Sequence, residues 1–249
     1  MTPYFAAPGV TLYLGDCREI IPALGLVADL IVTDPPYAST SLAWDRWPEG
    51  WVEIAAAASS SMWCFGSLRM FMERAADFAA WTCSQDIVWE KHNGSGFHAD
   101  RFRRIHESAA HFYRGSWSDA YHDAVYGLGA RAKTVRSKRR PTHTGDIERS
   151  AYRTQEGGPK LETSILRASS MHGKAIHPTQ KPTGILEPLI QYGCKPGGTV
   201  LDLFAGSGAV LDAARRCGRI GVGIEAKEEY AERARLRLSQ ELLFDGGVA

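Results

Sequence analysis

A stiff acidic loop, Asp34-Pro35-Pro36-Tyr37, combines three groups that can hold an aromatic amine. The two prolines fix φ and lack N–H donors, so the carbonyls of the loop stay free. An exocyclic amine on a heterocycle donates two N–H bonds, which the Asp34 carboxylate and the Pro35 carbonyl can accept. The Tyr37 ring can stack on the heterocycle. A plain Asp-Pro turn with a packed tyrosine explains the same residues equally well in isolation.

A glycine-rich turn, Ala205-Gly206-Ser207-Gly208, follows the apolar run Thr199–Phe204. Glycines let the backbone turn tightly and leave the N–H groups of a following helix pointing at a ligand. Glu225 ends the next apolar run about twenty residues on, where an acid can accept hydrogen bonds from both hydroxyls of a ribose. The turn lacks G-x-G-x-x-G spacing, which argues against a dinucleotide-dependent oxidoreductase. Turn and acid together indicate a different adenosine-containing cofactor.

Alternating strand and helix patterns surround both loops and predict an α/β sheet with helices on both faces. The predicted strands are Val10–Leu14, Asp29–Thr33, Met62–Phe65, Ile87–Trp89, Ala109–Tyr113, Thr199–Phe204 and Ile220–Ile224. The predicted helices are Trp51–Ser60, Leu68–Ala80, Thr183–Tyr192, 208–217 and Glu228–Leu243, with Pro188 starting the fourth element late or kinking it. Each loop directly follows a strand, and ligands bind at the carboxyl ends of strands in such sheets.

The composition is that of a globular protein, since 44% of the 249 residues are apolar and 23% are charged. No run approaches the roughly 18 apolar residues of a membrane span, and the N-terminus lacks the pattern of a signal peptide. We therefore expect a cytoplasmic protein that does not bind membranes. The five cysteines are scattered and show no C-x-x-C pair, and the histidines form no ligand motif. Neither a disulfide framework nor a metal site is expected.

The middle of the chain is strongly basic, although the net charge of the whole chain is only +1. Residues 97–182 carry 16 Lys and Arg against 8 Asp and Glu, whereas the rest of the chain is acidic. Such asymmetry indicates a polyanion partner, although a solvated loop explains a charge run equally well. Residues 115–170 lack clear periodicity, so we predict a small separate insertion there, with 1–114 and 171–249 as the main domain. The densest basic stretch contains Arg131, Lys133, Arg136, Lys138, Arg139 and Arg140.

The order of the two loops, acidic first and glycine-rich last, resembles the circularly permuted β group of S-adenosylmethionine-dependent amino-methyltransferases of DNA. The matches span nearly the whole chain outside the insertion, which lies where this family carries its target-recognition region. The resemblance implies a permuted Rossmann-like methyltransferase sheet with a small basic target-recognition insertion. Further matching segments are Gly15-Asp16-Cys17, Ile87–Lys91, His106-Glu107 with Phe112, His177–Pro182, and Gly223–Glu225 with Tyr230.

The resemblance also implies roles for individual residues. The acidic loop, Asp34 to Tyr37, becomes the catalytic segment that methylates the exocyclic amine of a flipped-out adenine in double-stranded DNA. Lys91 and the six basic residues of the insertion become the DNA contacts. The implied S-adenosylmethionine site comprises Asp16, Cys17, Asp34, His177, Thr179, Lys181, Asp202, Phe204, Ala205, Gly206, Ser207, Gly208 and Glu225.

Several alternatives remain open at this point. The same acceptor pair serves the amine of cytosine, although Asp at position 34 leans toward adenine in this family and Ser toward cytosine. RNA and protein-glutamine methyltransferases share a similar loop but usually have the cofactor loop first. A non-catalytic nucleic-acid-binding relative would typically have lost the acid or the glycines. The protein partners also remain open. They are a second copy of the chain in a homodimer, and either a cognate restriction endonuclease or, for an orphan enzyme, none.

Overall fold

The chain divides into two compact units, Met1–Asp123 with Ser164–Ala249 and, separately, Ala124–Thr163. The computed structural model describes residues 1–37, 45–95, 100, 102–127, 129, 131–135, 152–168 and 181–242. The second unit is shorter than the predicted insertion because residues at both ends of 115–170 pack in the first unit. Trp117 contacts Tyr113 edge to face, with ring centroids 5.0 Å apart. Ile165–Arg167 pairs as a strand beside residues 88–90.

Thirteen strands and six helices occur in the described residues. The strands are β1 (Phe5–Ala7), β2 (Val10–Leu14), β3 (Leu30–Thr33), β4 (Ser61–Gly66), β5 (Thr82–Ser95), β6 (Arg104–Tyr113), β7 (Tyr126–Gly127), β8 (Lys133–Val135), β9 (Tyr152–Thr154), β10 (Lys160–Leu161), β11 (Ile165–Arg167), β12 (Thr199–Asp202) and β13 (Ile220–Glu225). The helices are α1 (Cys17–Leu24), α2 (Trp51–Ala58), α3 (Leu68–Glu73), α4 (Thr183–Gly193), α5 (Ala209–Arg216) and α6 (Glu228–Leu242). None of these helices is long and apolar enough to cross a membrane.

A nine-stranded sheet in the order β1-β2-β13-β12-β3-β4-β6-β5-β11 is the frame of the first unit. The five adjacent strands β2, β13, β12, β3 and β4 are parallel to one another, whereas β1 is antiparallel to β2 and β6 is antiparallel to both β4 and β5. All four residues of β3 are buried, as expected for a parallel strand that is covered on both faces. In the second unit, β7 pairs with β10 and β8 with β9, both antiparallel.

Successive residues of the central strands enter two separate cores on opposite faces of the sheet. In β3, Leu30 and Val32 join one core and Ile31 joins the other. In β12, Val200 and Leu201 divide in the same way. Helices α4, α5 and α6 supply apolar side chains to the first core, and α1, α2 and α3 supply them to the second. The predicted α/β sheet with helices on both faces is therefore confirmed.

Strands β12 and β3 are parallel, but the direction in which the chain adds strands to the sheet reverses between them. From β3 the chain moves outward to β4, and from β12 it moves outward to β13 on the opposite side. The connections therefore leave the two central strands in opposite directions, and a crevice opens between their carboxyl ends. This topological switch point brings the acidic loop after β3 next to the glycine-rich loop after β12. The late position of β12 in the chain makes the Rossmann-like sheet a permuted one.

Some elements differ from their predictions. Helix α1 was not predicted, and it begins where Asp16 accepts a hydrogen bond from the Arg18 N–H at 2.8 Å. Helix α3 ends at Glu73 rather than Ala80, whereas β5 and β6 are longer than predicted. The late start predicted for α4 is wrong, because the helix begins at Thr183 and contains Pro188. Four buried side chains hold α4 on the sheet despite the missing N–H, namely those of Ile185, Leu186, Leu189 and Ile190.

Candidate active site

The glycine-rich loop after β12 turns on two residues with left-handed backbone. Gly206 has a φ of 51° and Gly208 a φ of 71°, which side chains rarely adopt. Gly208 is the N-cap of α5, so the loop feeds directly into a helix. The Ala205 N–H donates to the Ile224 carbonyl at 2.8 Å and ties the loop to the end of β13. The loop is therefore held between two neighbouring strands.

Glu225 at the end of β13 supports this loop with its carboxylate. Oε2 accepts the Gly206 N–H at 2.8 Å, and Oε1 accepts the Lys227 N–H at 2.9 Å. The residue is only 8% exposed, and burial raises the pKa of Glu225 although both hydrogen bonds lower it. A carboxylate has about four acceptor positions, so these bonds leave part of its capacity for a ligand hydroxyl.

The acidic and glycine-rich loops are joined by a buried hydrogen bond. The Thr33 hydroxyl at the end of β3 donates to Oδ1 of Asp202 at 3.0 Å. The Phe204 N–H donates to the same oxygen at 3.1 Å. Asp202 is 3% exposed, and burial raises its pKa to about 7. The carboxyl group that ends β12 thus fixes the starting points of both loops.

Asp34 is engaged at both carboxylate oxygens. The Tyr37 hydroxyl donates to Oδ1, and the Lys181 ammonium donates to Oδ2. Burial raises the pKa of Asp34, the Lys181 charge lowers it, and the nearby Glu107 charge raises it. In the structure the Tyr37 hydroxyl therefore binds the Asp34 carboxylate. The prediction for Tyr37 concerns only the stacking of its ring.

Glu107 on β6 is the second acid beside Lys181. Its Oε1 accepts a hydrogen bond from Lys91, and its Oε2 lies 3.3 Å from Lys181 Nζ. These two cations outweigh burial and lower the pKa of Glu107 to about 2. Lys91, which was predicted to contact DNA, pairs with Glu107 and lies over the Trp89 ring, with Nζ 4.7 Å from its centroid.

A cavity of about 290 Å³ opens where these elements meet. Such a volume is near the lower end of the range for small-molecule sites. Asp16, which caps α1 and pairs with Arg18 at 2.5 Å, lines it beside Cys17. Burial raises the pKa of the Cys17 thiol to about 12. The lining also includes Asp34, Pro35, Pro36, Tyr37, Glu107, Lys181, Asp202, Phe204, Ala205, Gly206, Ser207 and Glu225.

Some predicted residues are not among those that the structure places in this site. His177, Thr179, Arg136, Lys138, Arg139 and Arg140 lie outside the described residues. Arg131 is exposed in the second unit, and Lys133 lies on β8 opposite Thr154. Among the described residues no cluster of three or more His, Cys, Asp or Glu side chains could hold a metal ion.

Other residues of the cavity were missed or misjudged from the sequence. Glu107 belongs only to the matching segment His106-Glu107 with Phe112, and the sequence predicts no role for it. Arg46 and Lys227 line the cavity but belong to no recognisable motif. Trp47 packs against Trp51, with ring centroids 5.6 Å apart.

Comparison with known proteins identifies the class of this site. Residues 28–236 match the family model described as DNA methylase, which covers the N6 and N4 type. The chain therefore belongs to this family of DNA amino-methyltransferases.

Particular relatives extend the similarity over nearly the whole chain. "Putative methylase YubD" of Escherichia coli (strain K12) is 29% identical over 238 residues, covering 90% of this chain and 88% of that protein. The crystal structure of an M1.HpyAVI–SAM complex has a TM-score of 0.62 at 23% identity, covering 92% of this chain and 98% of that one. PvuII DNA methyltransferase, described as cytosine-N4-specific, has a TM-score of 0.64 at 16% identity, with coverage of 98% and 93%. At these identities the two structures show the shared fold.

Proposed function

We propose that this protein transfers a methyl group from S-adenosylmethionine to the exocyclic amine of an adenine flipped out of double-stranded DNA. The observation that carries the proposal is the Thr33–Asp202 hydrogen bond, which joins the acidic loop and the glycine-rich loop at one cavity. An amine held by Asp34 would lie at the wall of the cofactor cavity. Methyl transfer is an in-line displacement, so such positioning supplies much of the rate enhancement.

The residues that line the cavity fit S-adenosylmethionine. This cofactor carries two cations, the sulfonium and the ammonium, and the cavity presents the carboxyl groups of Asp34, Asp202 and Glu225. The remaining acceptor capacity of Glu225 suits a ribose hydroxyl, and Asp202 receives both of its described hydrogen bonds at Oδ1. When bound, the cofactor supplies the methyl group from its sulfonium. The M1.HpyAVI neighbour was solved with this molecule.

Asp34 and the Pro35 carbonyl hold the amine in this proposal. The lone pair of an aromatic amine is delocalised into its ring, which makes the nitrogen a poor nucleophile. Hydrogen bonds from both N–H groups to the loop favour a tetrahedral nitrogen and localise the lone pair. Asp34 also stabilises the positive charge that develops on nitrogen during transfer, and it accepts the proton that leaves afterwards.

The base has to leave the duplex before its amine can reach Asp34. Flipping costs a few kcal/mol, which stacking of about 1–3 kcal/mol on an aromatic ring partly offsets. Tyr37 supplies that ring, and Arg131 and Lys133 with the basic residues of 136–140 supply phosphate contacts. The acid at position 34 favours adenine over cytosine, and the cytosine amine is the alternative substrate.

The test is methyl transfer to unmethylated DNA by the purified protein, followed by mass spectrometry of the nucleosides. N6-methyl-deoxyadenosine is the expected product, N4-methyl-deoxycytidine would support the alternative, and no methylated nucleoside would refute the proposal. Asp34→Asn should lose at least about a hundredfold in kcat because it removes charge stabilisation of the transition state. Asp29→Asn is the matched control, since Asp29 lies at the opposite end of the same strand and contacts Thr199 and Lys195.

A further inference from the structure

Four charged side chains, Lys91, Glu107, Lys181 and Asp34, contact one another in a row, and the last three line the cavity. Positive and negative side chains alternate, because Lys91 contacts Glu107, Glu107 contacts Lys181, and Lys181 contacts Asp34. All four are largely buried, with side-chain exposures of 17%, 21%, 7% and 20% in that order. Burying charges is expensive unless each one is paired. The proposed reaction uses only Asp34, so the other three charges require an explanation.

Tyr37 and Lys181 each donate to one oxygen of Asp34, so an amine that approaches either oxygen meets a donor already in place. A substrate amine that binds at the Oδ2 side of Asp34 moves the Lys181 ammonium aside. Displacing the Lys181 ammonium into a pocket with no second acceptor would leave a buried cation unpaired, which is strongly unfavourable. Productive binding therefore needs a place for that ammonium to go.

Glu107 offers that place. Its Oε2 is buried and lies 3.3 Å from Lys181 Nζ, an ion pair longer than the Lys181–Asp34 contact. Its other oxygen is held by Lys91, so the carboxylate is anchored with Oε2 facing Lys181. The Phe65 ring, with its centroid 5.0 Å from Lys181 Nζ, lies under the ammonium. A small movement takes Lys181 from one carboxylate to the other without leaving the pocket.

We propose that Glu107 is a positioning residue that receives the Lys181 ammonium when a substrate amine binds Asp34. This inference rests on the proposed function. In the free protein Lys181 keeps Asp34 paired, and in the substrate complex the Lys181–Glu107 pair leaves the Asp34 oxygen open. The total charge of the four groups stays the same in both arrangements. Lys181 thus belongs to the machinery at Asp34, besides its predicted contact with the cofactor.

The first variant is Glu107→Gln, which keeps the shape of the side chain and removes its charge. Lys181 then has Asp34 as its single carboxylate partner, so kcat should fall about tenfold or more, with a much smaller change in KM. The acidic limb of the pH profile should not move to higher pH, because removing a neighbouring negative charge favours the ionised form of Asp34. Glu90→Gln is the matched control on β5, where the carboxylate pairs with the exposed Arg167 at 2.9 Å. It should keep the wild-type rate and profile.

The second variant, Lys181→Gln, has the opposite signature. The charged and titratable groups that face Asp34 are Lys181, Glu107, Tyr37, Cys64 and Asp202. Without Lys181 the carboxylate of Asp34 lies beside Glu107 with no cation, so its protonation is favoured. The acidic limb of kcat/KM should therefore move to higher pH. If circular dichroism shows that Glu107→Gln folds poorly, this pH shift of Lys181→Gln becomes the measurement that tests the inference.

The double variant separates positioning from simple structural damage. Glu107→Gln with Lys181→Gln removes one charge of each sign, so at pH 8 its kcat should exceed that of Glu107→Gln alone. A double-variant loss equal to the product of the single losses would overturn the inference, as would an unchanged kcat for Glu107→Gln. Absence of methyl transfer by the wild type in the same assay would refute the proposed function. Wild-type transfer with unaffected variants refutes only the role of Glu107.

Discussion

Replacing Asp202 with Asn should stabilise the protein at neutral and alkaline pH. Asp202 is 3% exposed and ends the central strand β12. Burial raises its pKa from 3.8 to about 7, so folding opposes its ionisation. Asn keeps an oxygen that accepts the hydrogen bonds from Thr33 and Phe204, and it carries no charge.

The size of the effect follows from the raised pKa of Asp202. Each pH unit between the unfolded and folded pKa values is worth about 1.4 kcal/mol. Above pH 7, the ionised carboxylate therefore lowers the free energy of unfolding by about 4 kcal/mol. In the window from pH 3.8 to 7 the folded state binds more protons than the unfolded state, so this cost grows as the pH rises. It approaches zero near pH 4.

Urea unfolding of wild type and Asp202→Asn at pH 5, 6, 7 and 8 measures this cost. The difference in free energy of unfolding should grow by about 1.4 kcal/mol per pH unit up to pH 7 and then level off. Contributions of all other titrating groups cancel in the difference. A difference that is flat across this range, or that favours the wild type at pH 8, would refute the reasoning. The same variant should bind S-adenosylmethionine more weakly, because a carboxylate that faces a cationic ligand is lost.

Three further predictions concern other parts of the molecule. Gly206→Val should abolish cofactor binding measured by calorimetry, because its φ of 51° disfavours a side chain and the residue lines the cavity; normal affinity would remove the glycine-rich loop from the proposed site. Burial lowers the pKa of His111 to about 4 from 6.5, so wild-type stability should drop by up to about 3 kcal/mol more than that of His111→Gln as the pH falls from 6.5 to 4; parallel urea titration curves would contradict this. Neutralising Lys138, Arg139 and Arg140 should weaken binding to all DNA sequences alike and lower the log–log salt slope by roughly 0.9 per lost contact; an unchanged slope would make the stretch a solvated loop.

The sequence predicts the central strands well because their signals are local. β3 and β12 are continuous apolar runs that end in a turn, and both the strands and their loops are predicted within a residue or two. α1 escapes prediction because it is eight residues long and contains Pro22, so only its packing against the sheet stabilises it. The same argument explains why Pro188 does not delay α4.

Contacts between distant side chains are the part of the site that sequence patterns cannot predict. Asp34, Asp202 and Glu225 follow strands, and the order of strands in an α/β sheet brings such positions together. Whether Lys181 faces a cofactor or Asp34 depends on which side chains meet across β4 and β6, and no spacing rule encodes that. Glu107 is identifiable only once the β6 register places it beside Lys91 and Lys181.

The adjacency of β3 and β12 also governs when the protein can fold. Their side chains at the switch point, Thr33 and Asp202, are separated by 169 positions in the chain. At a synthesis rate of about 5–20 residues per second, β3 leaves the ribosome about 10–30 s before its partner strand. During that time β3, whose residues are all buried in the complete sheet, has one open edge, which is a template for pairing with other chains. Because β12 and β13 insert between β3 and β2, permutation makes the centre of the sheet the last part to close.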